Sequence, residues 1–455
     1  MHMDEIAARR TLLGAPVVHG VHLLCWALES LLARSGGVSG ALKRVTVAFT
    51  RGVLVGENVQ VSGTASGGEF NLSIHRNQAQ LAGIKGSFGP AFEYSETLAP
   101  VVEQKPCRVM DSTSMAGASG TLPLFLEPKD ARRLFPGLSA ALPDVQLAFI
   151  LATTRLVGME CPGLHSLYSA LDLSFDGAAA GAPEMNYKAT PTDRFGGFLL
   201  SVEGPGARGE IRAFLRPAPR AQVEIGELAK QVEAGEFSNQ KALVIGGSRG
   251  LGEVVAKLLA VGGADVTITW HRGKADAESV AGEIVRAGGR CGVAHFDVNR
   301  PMFVDSDKPF THLYYFATPH ITADKSVAFS AERFEQYCQY YVTNFALTLL
   351  MAGRDQELTV FYPSTIFLDK GRLNTTEYCA AKAAGEEVCK QMMRRFPEWR
   401  IYAPRLPRMA TDQNNGIMPV RMEAAETVML RELRQMRIPR EKASPQRADR
   451  GPRCS

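Results

Sequence analysis

Along this chain the apolar positions follow two different periods. Up to about residue 220, an apolar run from Val17 to Leu32, broken by His19, His22 and Glu29, precedes short stretches that alternate apolar and polar residues between Gly or Asn turns. "KRVTVAFT", "VGENVQVSGT", "GEFNLSIHRN" and "AQLAGIKGSF" form one set, and "SALDLSF", "GGFLLSVEG" and "GEIRAFLRP" a second. A period of two with β-branched residues predicts strands, and the short turns predict a mostly antiparallel sheet behind a helix. From Lys241 the order becomes β-branched run, glycine turn, helix and strand, which predicts a parallel sheet with helices packed on it. "LRPAPRAQ" (215–222) reads as a Pro-rich hinge between the halves, and "VEIGELAKQVEAGEF" after it predicts a linking helix. The final "IPREKASPQRADRGPRCS" almost lacks large apolar residues and predicts a disordered, solvated tail.

One short motif recurs in the first half. Pro16-Val-Val-His19-Gly20 and Pro162-Gly-Leu-His165-Ser166 are both Pro-x-x-His-small steps into an apolar stretch, and they predict an internal repeat. Capping or packing is the expected role of both histidines.

Composition narrows the function classes. A length of 455 residues is enough for two or three domains with their own cores, and 45% hydrophobic with 22% charged residues is ordinary for a globular protein. A net charge of +4, dispersed along the chain, argues against nucleic acid as a partner. Cysteines 25, 107, 161, 291, 338, 379, 389 and 454 form no CxxC pair, so reduced thiols in the cytoplasm are expected, with no metal site. The Val17–Leu32 run is too polar to span a membrane and no signal peptide or anchor is expected.

The strongest chemical signal is "KALVIGGSRGLGEVVAKLLAVGGADVTITWHR". A β-branched strand runs into Gly246, Gly250 and Gly252 and then a helix, the arrangement that brings bare backbone N–H groups to a pyrophosphate. The next strand ends in Trp270-His271-Arg272 without the carboxylate that would hold the ribose hydroxyls of NAD, and Arg249 stands within the turn. Two guanidinium groups suit a 2′-phosphate, so NADP (NADPH) is the expected cofactor. Downstream, "TTEYCAAKAAGEEVCKQMM" reads as a helix with Tyr378 and Lys382 one turn apart. An ammonium beside a phenol lowers the phenol's pKa, and the phenol can then give a proton to a carbonyl oxygen.

Those residues, the pattern G-x-x-x-G-x-G with Tyr378-x-x-x-Lys382, resemble the short-chain dehydrogenase/reductases over about residues 238 to 430. The resemblance implies a Rossmann-type doubly wound parallel sheet and cofactor contacts at Gly246, Ser248, Arg249, Gly250, Leu251, Gly252, Arg272, Asp297, Val298 and Ala317. Asp297 in "HFDVN" matches the family's adenine contact, and Asn344 in "YYVTNFALTLL" matches the asparagine of its proton relay. The family's carbonyl-orienting serine lies 13 residues before the tyrosine, where this chain has Thr365; Ser364 is one residue away and is preferred on chemical type. The family's Asn-Ala-Gly is replaced by Phe316-Ala317-Thr318-Pro319, its late Pro-Gly step is altered to "APRLPRMATD", and the short spacing before "THLYYFATP" implies a lost or shortened helix.

The opening "MHMDEIAARRTLLGAPVVHGVH" resembles the MaoC-like hydratases and dehydratases of the hot-dog fold, with His-x-Asp beginning at His2 and the His19-Gly20 step leading into the central helix. The match implies that His2 is the family's catalytic imidazole, whose partner aspartate would precede residue 1. A degenerate acyl-binding scaffold, a start placed too late, and an accidental match are the three explanations, in that order. The whole is expected to be an α+β double hot dog followed by the α/β sheet. The expected parts are a first, N-terminally incomplete unit at 1–105, a second, degenerate one at 106–220, a linker helix at 221–237, the reductase domain at 238–435 and the tail at 436–455. The resemblances imply NADPH-dependent reduction of a 3-oxoacyl thioester, on coenzyme A or acyl carrier protein, in a homodimer. A reductase that also dehydrates, and a non-catalytic NADP- and acyl-binding scaffold, stand as alternatives.

Overall fold

The computed structural model describes residues 4–11, 13–34, 40–90, 98, 105–176, 181–192, 196–301, 309–321, 329–353, 356–371, 374–412 and 420–438. The chain falls into two compact units, Met1–Arg220 with Asn415–Val420, and Ala221–Asn414 with Arg421–Ser455.

In the first unit, strands β1 (Ala41–Phe49), β2 (Gln60–Ser66), β3 (Glu69–Arg76), β4 (Ala79–Gly89), β5 (Ser119–Pro123), β6 (Ser166–Phe175), β7 (Glu184–Pro191), β8 (Gly197–Gly204) and β9 (Ala207–Leu215) form one sheet. Their order is β2-β3-β4-β1-β6-β9-β8-β7-β5. Every pairing is antiparallel. The halves β2-β3-β4-β1 and β6-β9-β8-β7 have the same connectivity and meet where β1 pairs β6, from Arg44 opposite Ser174 to Ala48 opposite Ala170. Each half has its own helix, Gly20–Arg34 before β1 and Asp144–Arg155 before β6, so the unit is a double hot dog.

Both helices bury residues on nearly every side: Leu24, Cys25, Ala27 and Leu28 in one, Leu147, Ala148, Phe149 and Ile150 in the other. A helix that is apolar on most of its circumference must sit inside a core. Along β1, Val45 and Val47 join that core, while Arg44 on the outer face pairs with Asp172 of β6 at 2.7 Å. The polar Gln146 is tolerated inside because its amide accepts from Leu42 N at 2.9 Å and donates to Leu42 O at 2.8 Å, where a bulge interrupts β1.

The repeat is real, but its register differs from the motif that predicts it. Pro16 to Gly20 leads into a helix, whereas Pro162 to Ser166 leads directly into β6; the helix matching Gly20–Arg34 is Asp144–Arg155. "DVQLAFILATTR" is too short and too evenly apolar to separate helix from buried strand by period alone.

In the second unit, β10 (Lys241–Ile245), β11 (Asp265–Trp270), β12 (Arg290–His295), β13 (His312–Tyr315), β14 (Leu358–Phe361) and β16 (Trp399–Tyr402) form a parallel sheet in the order β12-β11-β10-β13-β14-β16. Beyond β14 and β16, the short pair β15 (Ser364–Thr365) and β17 (Arg405–Leu406) continues in parallel. The central strands are continuous apolar runs such as Ala242 to Ile245, because helices bury both faces. Strand order reverses between β10 and β13, the switch point at which ligands bind open α/β sheets.

Two expectations change here. The segment after the hinge is helical only at Ile225–Leu228, and Leu228, Val232 and Phe237 are buried in the core of the second unit. The expected tail from 436 begins inside a helix, Ala425–Arg437, with Met436 buried; residues 439–455 lie outside the described residues. Between β12 and β13 the described residues form no helix. Among the described residues no helix is long and apolar enough to cross a membrane.

Candidate active site

The turn from Gly246 to Arg249 joins β10 to the helix Gly250–Val261. Thr269 of β11 anchors it, its hydroxyl accepting from Gly246 N at 3.1 Å and its carbonyl from Gly247 N at 3.1 Å. Glycine is required for a close approach: a Cβ on Gly252 would fall on the Gly246 carbonyl oxygen, and one on Gly246 would crowd Phe316 and Ala317 after β13. At Gly250, φ is +60° and nothing lies near the absent Cβ. The result is a helix N-terminus approached by bare backbone, with Ser248 buried and Arg249 and Leu251 partly buried beside it.

At the ends of β11 and β12, Arg272 is exposed and His271 Nδ1 lies 3.6 Å from Asp297 Oδ1. Asp297 also accepts from Asn299 N at 2.9 Å, while the side chain of Val298 is buried in the core. Asn299 links this end to the next helix, its side-chain oxygen accepting from Asn344 Nδ2 at 3.0 Å.

Tyr378 and Lys382 lie on the helix Thr376–Arg395. Lys382 is 5% exposed and donates to Pro363 O at 2.7 Å. Burial pushes its ammonium down to about 7, against the pull of the Cys389 thiol and the Glu386 carboxylate. Burial also raises the Tyr378 phenol, and a hydrogen bond with Thr365 lowers it. Consecutive strand residues present their side chains in opposite directions, so one hydroxyl of β15 faces Tyr378. That hydroxyl belongs to Thr365; Ser364 instead donates to Glu386 at 2.5 Å, and Glu386 is clamped by Arg405 at 2.7 and 2.9 Å. Of the two hydroxyls, Thr365 is the one beside Tyr378.

Asn344 is 1% exposed, at the junction of a π-helical turn, Gln339–Thr343, with the helix Asn344–Ala352. Its amide bonds Asn299 and, at 2.6 Å, Gln339, so it is held on the Asp297 side rather than at Lys382. What sequence reasoning missed is the aromatic wall: Tyr337 and Tyr341 meet the Tyr378 ring edge-on at 5.9 and 5.7 Å. Their i, i+4 spacing in "YCQYY" was the available signal. Tyr341 Oη also lies 2.5 Å from Thr318 Oγ1, so Thr318, in the segment that replaces Asn-Ala-Gly, connects the glycine turn's neighbours to the Tyr–Lys pair.

In the first unit the histidines have other partners. His2 lies outside the described residues. Asp4 caps the helix Glu5–Ala8, accepting from Ile6 N and Ala7 N. His19 Nδ1 is 3.3 Å from Thr154 Oγ1, and burial, then Arg216, lowers the His165 imidazole.

Comparison with known proteins finds the family model "MaoC like domain" at residues 1–79. No curated protein sequence matches the chain. Among solved structures, a short-chain dehydrogenase from Burkholderia cenocepacia in complex with NADP is 18% identical, covering 44% of this chain and 91% of its own, with a TM-score of 0.39. Alternative dihydrofolate reductase 1 from Brucella suis in complex with NADP is 21% identical, covering 37% and 72%, with a TM-score of 0.32. Acetoin dehydrogenase from Salmonella typhimurium is 18% identical, covering 43% and 89%, with a TM-score of 0.37. The chain thus carries a MaoC-like domain at residues 1–79 and has short-chain dehydrogenases among its structural neighbours.

Proposed function

We propose that residues 238–435 bind NADPH and reduce a 3-oxoacyl thioester, on coenzyme A or a carrier protein, to the 3-hydroxyacyl thioester, while the hot-dog half holds the acyl chain. The observation that carries this reading is the convergence of Tyr378, Lys382 and Thr365 beyond the carboxyl ends of a parallel sheet, beside a switch point bordered by a bare glycine turn. The cofactor fits the residues present: side-chain-free backbone at Gly246, Gly250 and Gly252 suits the pyrophosphate, and Arg249 and Arg272 suit a 2′-phosphate. Asp297 and His271 would flank the adenine.

When bound, NADPH supplies the hydride. Tyr378 gives its proton to the substrate's carbonyl oxygen as that oxygen gains charge, and Thr365 orients the same oxygen. The Lys382 ammonium favours the phenolate and so eases the proton's release. Ser364, tied to Glu386, steadies β15, and Asn344 braces the cofactor side through Asn299. His2 is proposed only as a residue of the acyl-binding half. A cytoplasmic homodimer belongs to the same proposal.

Mixing the chain with NADPH and a short 3-oxoacyl-coenzyme A, and weighing the thioester, tests it. A gain of two hydrogens, lost in Tyr378→Phe, is expected. Further loss of water would give the MaoC-like half a catalytic role. An unchanged thioester beside bound NADPH, on coenzyme A and carrier protein alike, would favour the scaffold and end the reductase reading.

A further inference from the structure

We infer that Tyr341 and Tyr362 form an aromatic cage that fixes the Lys382 ammonium, and that Tyr341 is thereby a positioning residue for proton transfer by Tyr378; the catalytic half of this inference rests on the reductase reading.

Lys382 Nζ stands 3.8 Å from the ring centre of Tyr341, 4.8 Å from that of Tyr362 and 6.0 Å from that of Tyr378. An ammonium has three N–H donors, and the carbonyl of Pro363 takes one. The remaining charge faces π-systems, an attraction that grows when water is excluded. Among the described residues, the charged and titratable neighbours leave no carboxylate dedicated to Lys382. On its own helix these are Tyr378, Glu386 and Cys389; Glu386 is clamped by Arg405 of β17, and burial raises the Cys389 thiol to about 12. The other packed elements contribute the tyrosines Tyr337, Tyr341 and Tyr362.

The cage is built rather than incidental. Tyr341 is 1% exposed, stacked on Tyr337 at 6.1 Å and bonded through its hydroxyl to Thr318. Tyr362 donates to Tyr341 O at 3.2 Å and packs on Phe345 at 4.6 Å. One turn beyond Lys382, Gly385 makes room for Tyr362, because a Cβ there would overlap the tyrosine's hydroxyl. Asn344 is committed to Asn299 and Gln339, so the rings serve where a polar relay would otherwise be needed.

Burial disfavours the ammonium and the rings favour it, so removing a ring lowers the pH at which Lys382 loses its proton. The test uses the full chain labelled with 15N-lysine, with Lys382→Met to assign the resonance, and follows the titration by NMR without substrate. Tyr341→Phe keeps the ring and should titrate as wild type; Tyr341→Leu should titrate lower by about one pH unit, with the pH profile of reduction moving alongside. Should Tyr341→Leu not fold, stepwise fluorinated phenylalanines at position 341 keep the shape, and the titration should fall with each fluorine. A folded Tyr341→Leu or fluorinated series that titrates as wild type overturns the cage, as does a Tyr341→Phe that shifts as far as Tyr341→Leu. Shifted titrations in a chain that reduces nothing would uphold the cage and sink the reductase reading alone.

Discussion

Gly20 and Gly252 each lie in the first turn of a helix, one in each unit, and each has a neighbour that leaves no room for a side chain. At Gly20 the neighbour is the ring of Phe49, 2.8 Å from where a Cβ would be; at Gly252 it is the backbone oxygen of Gly246. A ring against a helix start fills a core, whereas backbone against a helix start leaves N–H groups bare for a phosphate. The histidines and tyrosines divide in the same way. His19 is beside Thr154 in the antiparallel unit, while Tyr378 in the parallel unit has a hydroxyl, a cation and two aromatic edges around it. A glycine in the first turn of a helix thus meets a side-chain ring in one unit and bare backbone in the other, and what stands opposite distinguishes them.

The sharpest way to break that contrast is to exchange one residue from each side. Tyr378→Phe should cut carbonyl reduction by about 10²–10⁴-fold with NADPH affinity unchanged, while His19→Ala leaves the rate within about two-fold. Stopped-flow absorbance of NADPH reads both. Next, Gly252→Ala forces the cofactor turn apart and should weaken NADPH binding by on the order of a hundredfold in a fluorescence titration. Gly20→Ala should leave that titration alone and cost about 1–3 kcal/mol in urea unfolding, since the Phe49 ring must move.

Arg272→Ala should weaken NADPH by about tenfold or more and leave NADH unaffected, the loss of one charge-assisted contact. Between the two hydroxyls of β15, Thr365→Val should lower kcat by about tenfold and Ser364→Ala by less than about threefold. A pH slope completes the set. Lys382 has its folded pKa lowered to about 7, so between there and the ordinary lysine range the unfolded chain binds the extra proton. Its contribution therefore makes stability rise with pH across that window, by at most about 1.4 kcal/mol per pH unit. Lys382→Met should flatten the rise in unfolding curves taken from pH 7 to 10.

How far the sequence was legible follows from the range of the contacts involved. The glycine turn and the Tyr378–Lys382 pair are set by neighbours within a few residues, through a tight turn and an i, i+4 step, and both read directly. Strands β1, β3 and β4 also read well, because buried positions alternate with outward ones in β1 and β3 and only short turns separate β2, β3 and β4. The Pro-x-x-His repeat misled because the register of β6 is fixed across the sheet by β1, more than a hundred residues away in sequence, and not by the step before it. Strands β5 and β7 were not predicted; β5 is a five-residue edge strand that carries little pattern. Thr365 over Ser364 needed the facing of β15, and the cage on Lys382 needed Tyr341, Tyr362 and Gly385 brought together from three separate segments.

The most direct measurement supplies NADPH carrying deuterium at the transferable position of its nicotinamide, with a 3-oxoacyl thioester, and locates the label by mass spectrometry and NMR. The account predicts one deuterium on the former carbonyl carbon of the 3-hydroxyacyl product, and transfer slowed by about 10²–10⁴-fold in Tyr378→Phe. Deuterium that stays on the cofactor while NADPH and thioester are both demonstrably bound would contradict it.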